Sequence, residues 1–66
     1  MSRSYSGKDM CRMLERAGWQ LRRVKGSHNI YAKAGERNII TVPVHGNQSL
    51  KTGLCRAILK AAALEQ

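Results

Sequence analysis

The chain has four acidic residues, no phenylalanine, one proline, one tryptophan and two cysteines. Each shortage excludes something. Asp9, Glu15, Glu36 and Glu65 are scattered, so they cannot form the carboxylate cluster that a two-metal nuclease needs. Cys11 and Cys55 are far apart and have no Cys-x-x-Cys spacing. A zinc site combining them with His28 and His45 has no local ligand pair to support it. No Walker loop or dinucleotide fingerprint occurs, so neither a metal nor a cofactor is expected. No stretch approaches the ~20 apolar residues that span a bilayer. The first five residues, Met1-Ser2-Arg3-Ser4-Tyr5, lack the apolar run of a signal peptide. A cytoplasmic protein with reduced thiols is therefore expected. Without phenylalanine, the core falls to Ile, Val, Leu, Met and Ala.

Positive charge is abundant. Twelve Lys and Arg give a formal net charge of +8 and a sequence pI of about 10.4 over 66 residues. That balance favours nucleic acid, an anionic membrane surface or an acidic protein as partner. The length predicts one domain over residues 1–66, with a core from about 6 to 64. A chain this short buries only about 60% of its unfolded surface, so a partner that covers apolar surface would be unsurprising. Its 42% hydrophobic content is enough for a packed core.

Ser6 followed three residues later by Asp9 predicts a capped helix start. Met10, Met13, Leu14 and Ala17 then form one helix face, and Gly18 supplies the stop. From Trp19 the period becomes two, with Trp19 and Leu21 on one face and Gln20 and Arg22 on the other. Lys25-Gly26-Ser27 is a turn. His28 to Lys33 reads as a second strand, Ala34 to Arg37 as a hairpin connection, and Asn38 to Val42 as a third strand that Pro43 ends or places at an edge. After a loop through Ser49, Thr52 caps a final helix through Leu64, with Leu54, Ala57, Ile58 and Ala61 as its apolar stripe and Leu50 packing back on its first turn. The fold class is α+β: α-β-β-β-α, a three-stranded antiparallel meander with both helices on one face.

Such a chain must run any chemistry on His, Lys, Arg, Ser, Tyr and backbone amides. His28 stands straight after a Gly-Ser turn, and histidine exchanges protons near neutrality. RNA supplies its own nucleophile, the 2′-hydroxyl, which attacks the adjacent phosphate once a base removes its proton. One histidine acting as that base, or as the acid for the leaving oxygen, typically contributes ~10²–10⁴-fold. Lys25 and the amides of Gly26 and Ser27 lie beside it, where they can hold a phosphate. Local sequence alone leaves the alternative open, since a lone strand-start histidine more often packs than reacts. His45 has the same ambiguity as an auxiliary acid-base group or a loop anchor. Tyr31 reads as sheet packing rather than a base-stacking platform, and the two thiols as small buried hydrophobes.

One ordered set of fragments is more specific. It comprises Ser6-Gly7-Lys8, Gly18-Trp19, Lys25-Gly26-Ser27-His28, Tyr31, Thr41-Val42-Pro43, His45-Gly46, Leu50-Lys51-Thr52-Gly53 and Ile58-Leu59. The set resembles the HicA (YcfA-like) family of bacterial toxins over roughly Ser6 to Leu64. The resemblance implies a double-stranded-RNA-binding-domain-like fold, metal-independent cleavage of messenger RNA that depends on His28, and neutralisation by a HicB antitoxin. It also implies RNA contacts at Lys8, Lys25, Ser27 and Lys51. Where family members often carry a second histidine after the first, this chain has Asn29. The alternative that stays open is a non-catalytic module of the same fold that binds structured RNA.

Overall fold

Ser6 and Asp9 cap each other: the Ser6 hydroxyl accepts the Asp9 N–H at 3.1 Å, and the Asp9 carboxylate accepts the Ser6 N–H at 3.1 Å. This is the capping box predicted from sequence. In this computed structural model, which describes residues 5–64, the elements run α1 (Gly7–Arg16), β1 (Gln20–Lys25), β2 (His28–Ala32), β3 (Ile40–Pro43) and α2 (Thr52–Ala61). The expected domain of residues 1–66 extends past the described residues at both ends. The sheet is antiparallel in the order β1-β2-β3. The α-β-β-β-α order and α+β class are those expected, with the arrangement of a double-stranded-RNA-binding domain.

Both helices end the same way. Trp19 N–H returns to the Leu14 carbonyl at 2.9 Å and Gly18 N–H to that of Glu15 at 3.1 Å, with Gly18 at φ +97°. Leu64 N–H returns to the Leu59 carbonyl at 2.7 Å and Ala63 N–H to that of Lys60 at 3.1 Å, with Ala63 at φ +58°. These are two Schellman motifs, one on the glycine that suits it and one on an alanine that does not.

Register fixes which side chains share a face. Leu21 pairs with Tyr31 and Val24 with Asn29; across the next ladder Asn29 pairs with Val42 and Tyr31 with Ile40. These six face the helices. Tyr31, Val42 and Ile40 join Met10, Leu14, Trp19, Cys55 and Ile58 in the core. Each aliphatic or methionine side chain among them, once fully buried, contributes about 1.5–3 kcal/mol. The opposite face carries Lys25 across from His28, Arg23 from Ile30, His28 from Pro43 and Ile30 from Thr41.

Five expectations shift. Trp19 precedes β1 and is buried, while Leu21, on the same helix side of the sheet as expected, is 46% exposed, so the helices cover only part of that face. The Schellman bond swings Trp19 inward, and a register irregularity between Leu21 and Arg23 interrupts the alternation. On α1, Met13 is only half-buried and Cys11 takes its place in the core. The second strand stops at Ala32, one residue short of Lys33. The third strand is Ile40–Pro43 rather than Asn38–Val42, and Ile39 is exposed. Helix α2 stops at Ala61 because Ala63 turns left-handed, and its buried residues are Cys55, Ile58 and the capping Ala62. Leu54, Ala57 and Ala61 face solvent. A helix so rich in alanine leaves its rotational phase to the packing rather than to the pattern.

The first turn of α1 is held on the end of β3. Gly7 is buried, and a Cβ there would run into the Pro43 carbonyl oxygen and lie 2.9 Å from Val44 Cα. A bridge between Ser6 and Ser49, and the Leu50 N–H donating to the Tyr5 carbonyl at 2.7 Å, close the other side of this turn. Leu50 itself is partly buried against the core.

Gly7→Ala should therefore cost about 2 kcal/mol, the range of an overpacked core site, read as a lower midpoint in urea. Tyr31 gives a pH test. Burial first, then its neighbours Cys11 and Glu15, push its phenol above the ordinary 10.0. Its hydroxyl donates to Glu15 Oε2 at 2.7 Å. The folded chain keeps this proton where the unfolded chain loses it. The contribution is thus complete below pH 10.0 and declines as pH rises above it. Tyr31→Phe should cost about 1 kcal/mol at neutral pH and should make unfolding less sensitive to pH above 10.0.

Candidate nucleic-acid interface

The hairpin joining β1 to β2 builds the centre of the candidate site. Lys25 and His28 are register partners, so Gly26-Ser27 is a two-residue turn. Gly26 takes φ +60° and Ser27 does not take a positive φ, the pattern of a type II′ turn with glycine first. Directly opposed residues on one face hold their Cβ atoms about 4.5–5.5 Å apart. The Lys25 ammonium stem and the His28 imidazole therefore rise side by side from the open sheet face, both exposed. Ser27 is half-buried, and its carbonyl accepts the Val44 N–H at 2.7 Å. The turn is thereby tied to the same Val44 that packs against Gly7.

The other expected residues fall in two groups. His45, exposed in the loop after β3, shares a shallow groove with Pro43, Leu50 and Lys51, and Pro43 is the β3 partner of His28. The N-cap of α2 is the exposed Lys51 and not Thr52, which is already helical, and Lys51 makes no side-chain cap hydrogen bond there. Lys8 is exposed on the first turn of α1 and lines a different groove, of about 320 Å³, on the helix side of the sheet. Asn29 lines that groove too and donates to Cys11 Sγ at 3.6 Å. Strand alternation sends Asn29 to the face opposite His28, so position 29 is not beside the imidazole. Arg12 also lines the helix-side groove, and Arg23 stands on the open face two pairs along from Lys25. The sequence singled out neither; the cross-strand register would have found Arg23.

Two acidic side chains, Asp9 and Glu15, are occupied elsewhere. Asp9 serves the capping box and Glu15 accepts from Tyr31. Arg12 meets Asp9 only at 3.9 Å, in an exposed pair worth little. Lys8, Lys25 and Lys51 make no ion pair among the described residues. The two thiols are free and buried, and burial pushes the Cys55 thiol up. Among the described residues no three His, Cys, Asp or Glu side chains gather as metal ligands, and no helix is long and apolar enough to cross a membrane.

A small α+β domain with a cationic turn and an exposed histidine beside it is thus the class of protein in view. The model of the HicA toxin of bacterial toxin-antitoxin systems matches residues 7–64, and the chain belongs to that family. No curated protein matches the chain significantly.

The turn makes its own prediction. A Cβ at Gly26 has open space, so Gly26→Ala meets only the left-handed strain, which costs about 1–2 kcal/mol. The Val44 amide should then exchange its hydrogen faster than in the parent.

Proposed function

We propose that this HicA-family toxin is a metal-independent endonuclease of messenger RNA, with His28 as its general acid-base group. The pairing of Lys25 with His28 on the exposed sheet face carries this reading. A phosphate held at Lys25 and the Gly26 and Ser27 amides brings the neighbouring 2′-hydroxyl within reach of the imidazole. The 2′-oxygen forms its bond to phosphorus as the bond to the 5′-oxygen breaks. His28 takes the proton from the first oxygen or gives one to the second. Lys25 balances the charge that develops on the phosphoryl oxygens. DNA lacks the 2′-hydroxyl and is not a substrate.

Lys8 and Lys51 extend the backbone contacts on either side, and His45, in the groove beside Lys51, is the auxiliary group. Cleavage of messenger RNA in the cytoplasm would stop translation, and a HicB-type antitoxin would restrain it.

Incubating the purified protein with RNA in EDTA tests the reading. Cleavage that His28→Ala lowers by at least about 10²-fold is expected, and expression of the His28→Ala form should leave bacterial growth intact. Intact RNA with the parent protein, or equal cleavage by the variant, would overturn it. Binding that weakens with salt and is untouched by His28→Ala, without cleavage, would leave a binding module. Lys25→Ala should weaken binding to all RNA sequences and lower the salt slope by about 1.

A further inference from the structure

Strand β1 is exposed at all six residues and has only β2 beside it. Two of its residues are apolar and point to the helix side, Leu21 at 46% and Val24 at 58% exposure. Helix α1 does not cover them. It stands across the groove of about 320 Å³ and offers Lys8, Arg12 and Glu15 as the facing wall, with Asn29 on the floor; the Glu15 carboxylate is already engaged by the Tyr31 hydroxyl. An apolar strip faced by two cations and one carboxylate already engaged by Tyr31, next to a sheet edge with unpaired main-chain groups, has the make-up of a protein-binding surface.

Three occupants can be weighed. A second copy would bring another +8 charge to a cationic wall. RNA would satisfy Lys8 and Arg12, but Leu21 and Val24 are aliphatic, and Tyr31, the aromatic ring lining the groove, is buried at 1% exposure. Bases stack on aromatic faces, and none is presented. An extended protein segment meets every feature: apolar side chains for Leu21 and Val24, carboxylates for Lys8 and Arg12, and main chain for the β1 edge.

We propose that the antitoxin seats an extended segment of apolar and acidic residues in this groove, along β1. The proposal rests on the antitoxin partnership of the family and not on the chemistry of His28. The groove opens on the opposite face of the sheet from the imidazole. Lys8 belongs to both surfaces, whereas Leu21, Val24 and Arg12 belong to this side alone, so antitoxin grip and RNA contact are separable by mutation at those three positions.

The test uses the full chain carrying His28→Ala as parent, titrated with its cognate antitoxin, so the outcome is independent of whether His28 cleaves RNA. Two variants are compared, Leu21→Ser with Val24→Ser, and Arg12→Glu. All three positions are exposed, and thermal unfolding by circular dichroism confirms folding. Each variant should lose at least about tenfold in antitoxin affinity. RNA affinity of the Leu21→Ser, Val24→Ser form should stay within about twofold of the parent, a difference worth well under 1.4 kcal/mol. Antitoxin affinity within twofold of the parent in either variant overturns the proposal. So does a loss of RNA affinity, without loss of antitoxin affinity, in the Leu21→Ser, Val24→Ser form.

Discussion

The contact on which the arrangement depends is the backbone approach of α1's first turn to Pro43 and Val44. Only the missing side chain of Gly7 permits it. From there the geometry propagates through covalent and hydrogen-bonded steps of fixed length. Val44 N–H holds the Ser27 carbonyl, Ser27 is in the turn that ends at His28, and His28 is in register with Pro43. The candidate site is thus anchored by main chain from three elements. In a chain of 66 residues, with little core to spare, main-chain anchorage fixes a surface histidine without burying it.

Charge is divided along the same lines. Asp9 and Glu15 are committed to structure, one at the α1 cap and one under Tyr31. What reaches solvent around the hairpin is almost wholly cationic, with Arg22, Arg23 and Lys25 all exposed on β1. Charges on an edge strand also oppose pairing between copies of the same chain. The same residues that favour a polyanion keep the sheet edge from recruiting itself.

Much of this was legible in the sequence, because local chemistry decided it. The Ser6–Asp9 capping box, the Gly18 stop and the Gly26-Ser27 turn each depend on residues within a few positions of one another. His28, Lys25 and their proximity followed from the turn alone. What stayed hidden was set by tertiary packing. The second left-handed helix end falls on Ala63, a residue that carries no such signal, so α2 read as three residues too long. Its stripe was one residue out of phase, since Leu54 and Cys55 are nearly equal as apolar markers. Asn29 read as a neighbour of the catalytic candidate, yet alternation takes it to the other face, where it meets Cys11 from α1. The function of Gly7 was invisible for the same reason: its contact is 36 positions away, with Pro43.

Trp19 has one more consequence. It is the chain's only tryptophan, it is 3% exposed, and its indole N–H has no hydrogen-bond partner among the described residues. An indole in so dry a setting emits at short wavelength and shifts to the red when water reaches it. Because the ring sits in the helix-side core while His28 projects from the other sheet face, its emission follows the packing of the domain and not the occupancy of the histidine. The molecule carries its own optical gauge of whether it is folded, and no label need be attached to the surface that meets its ligands.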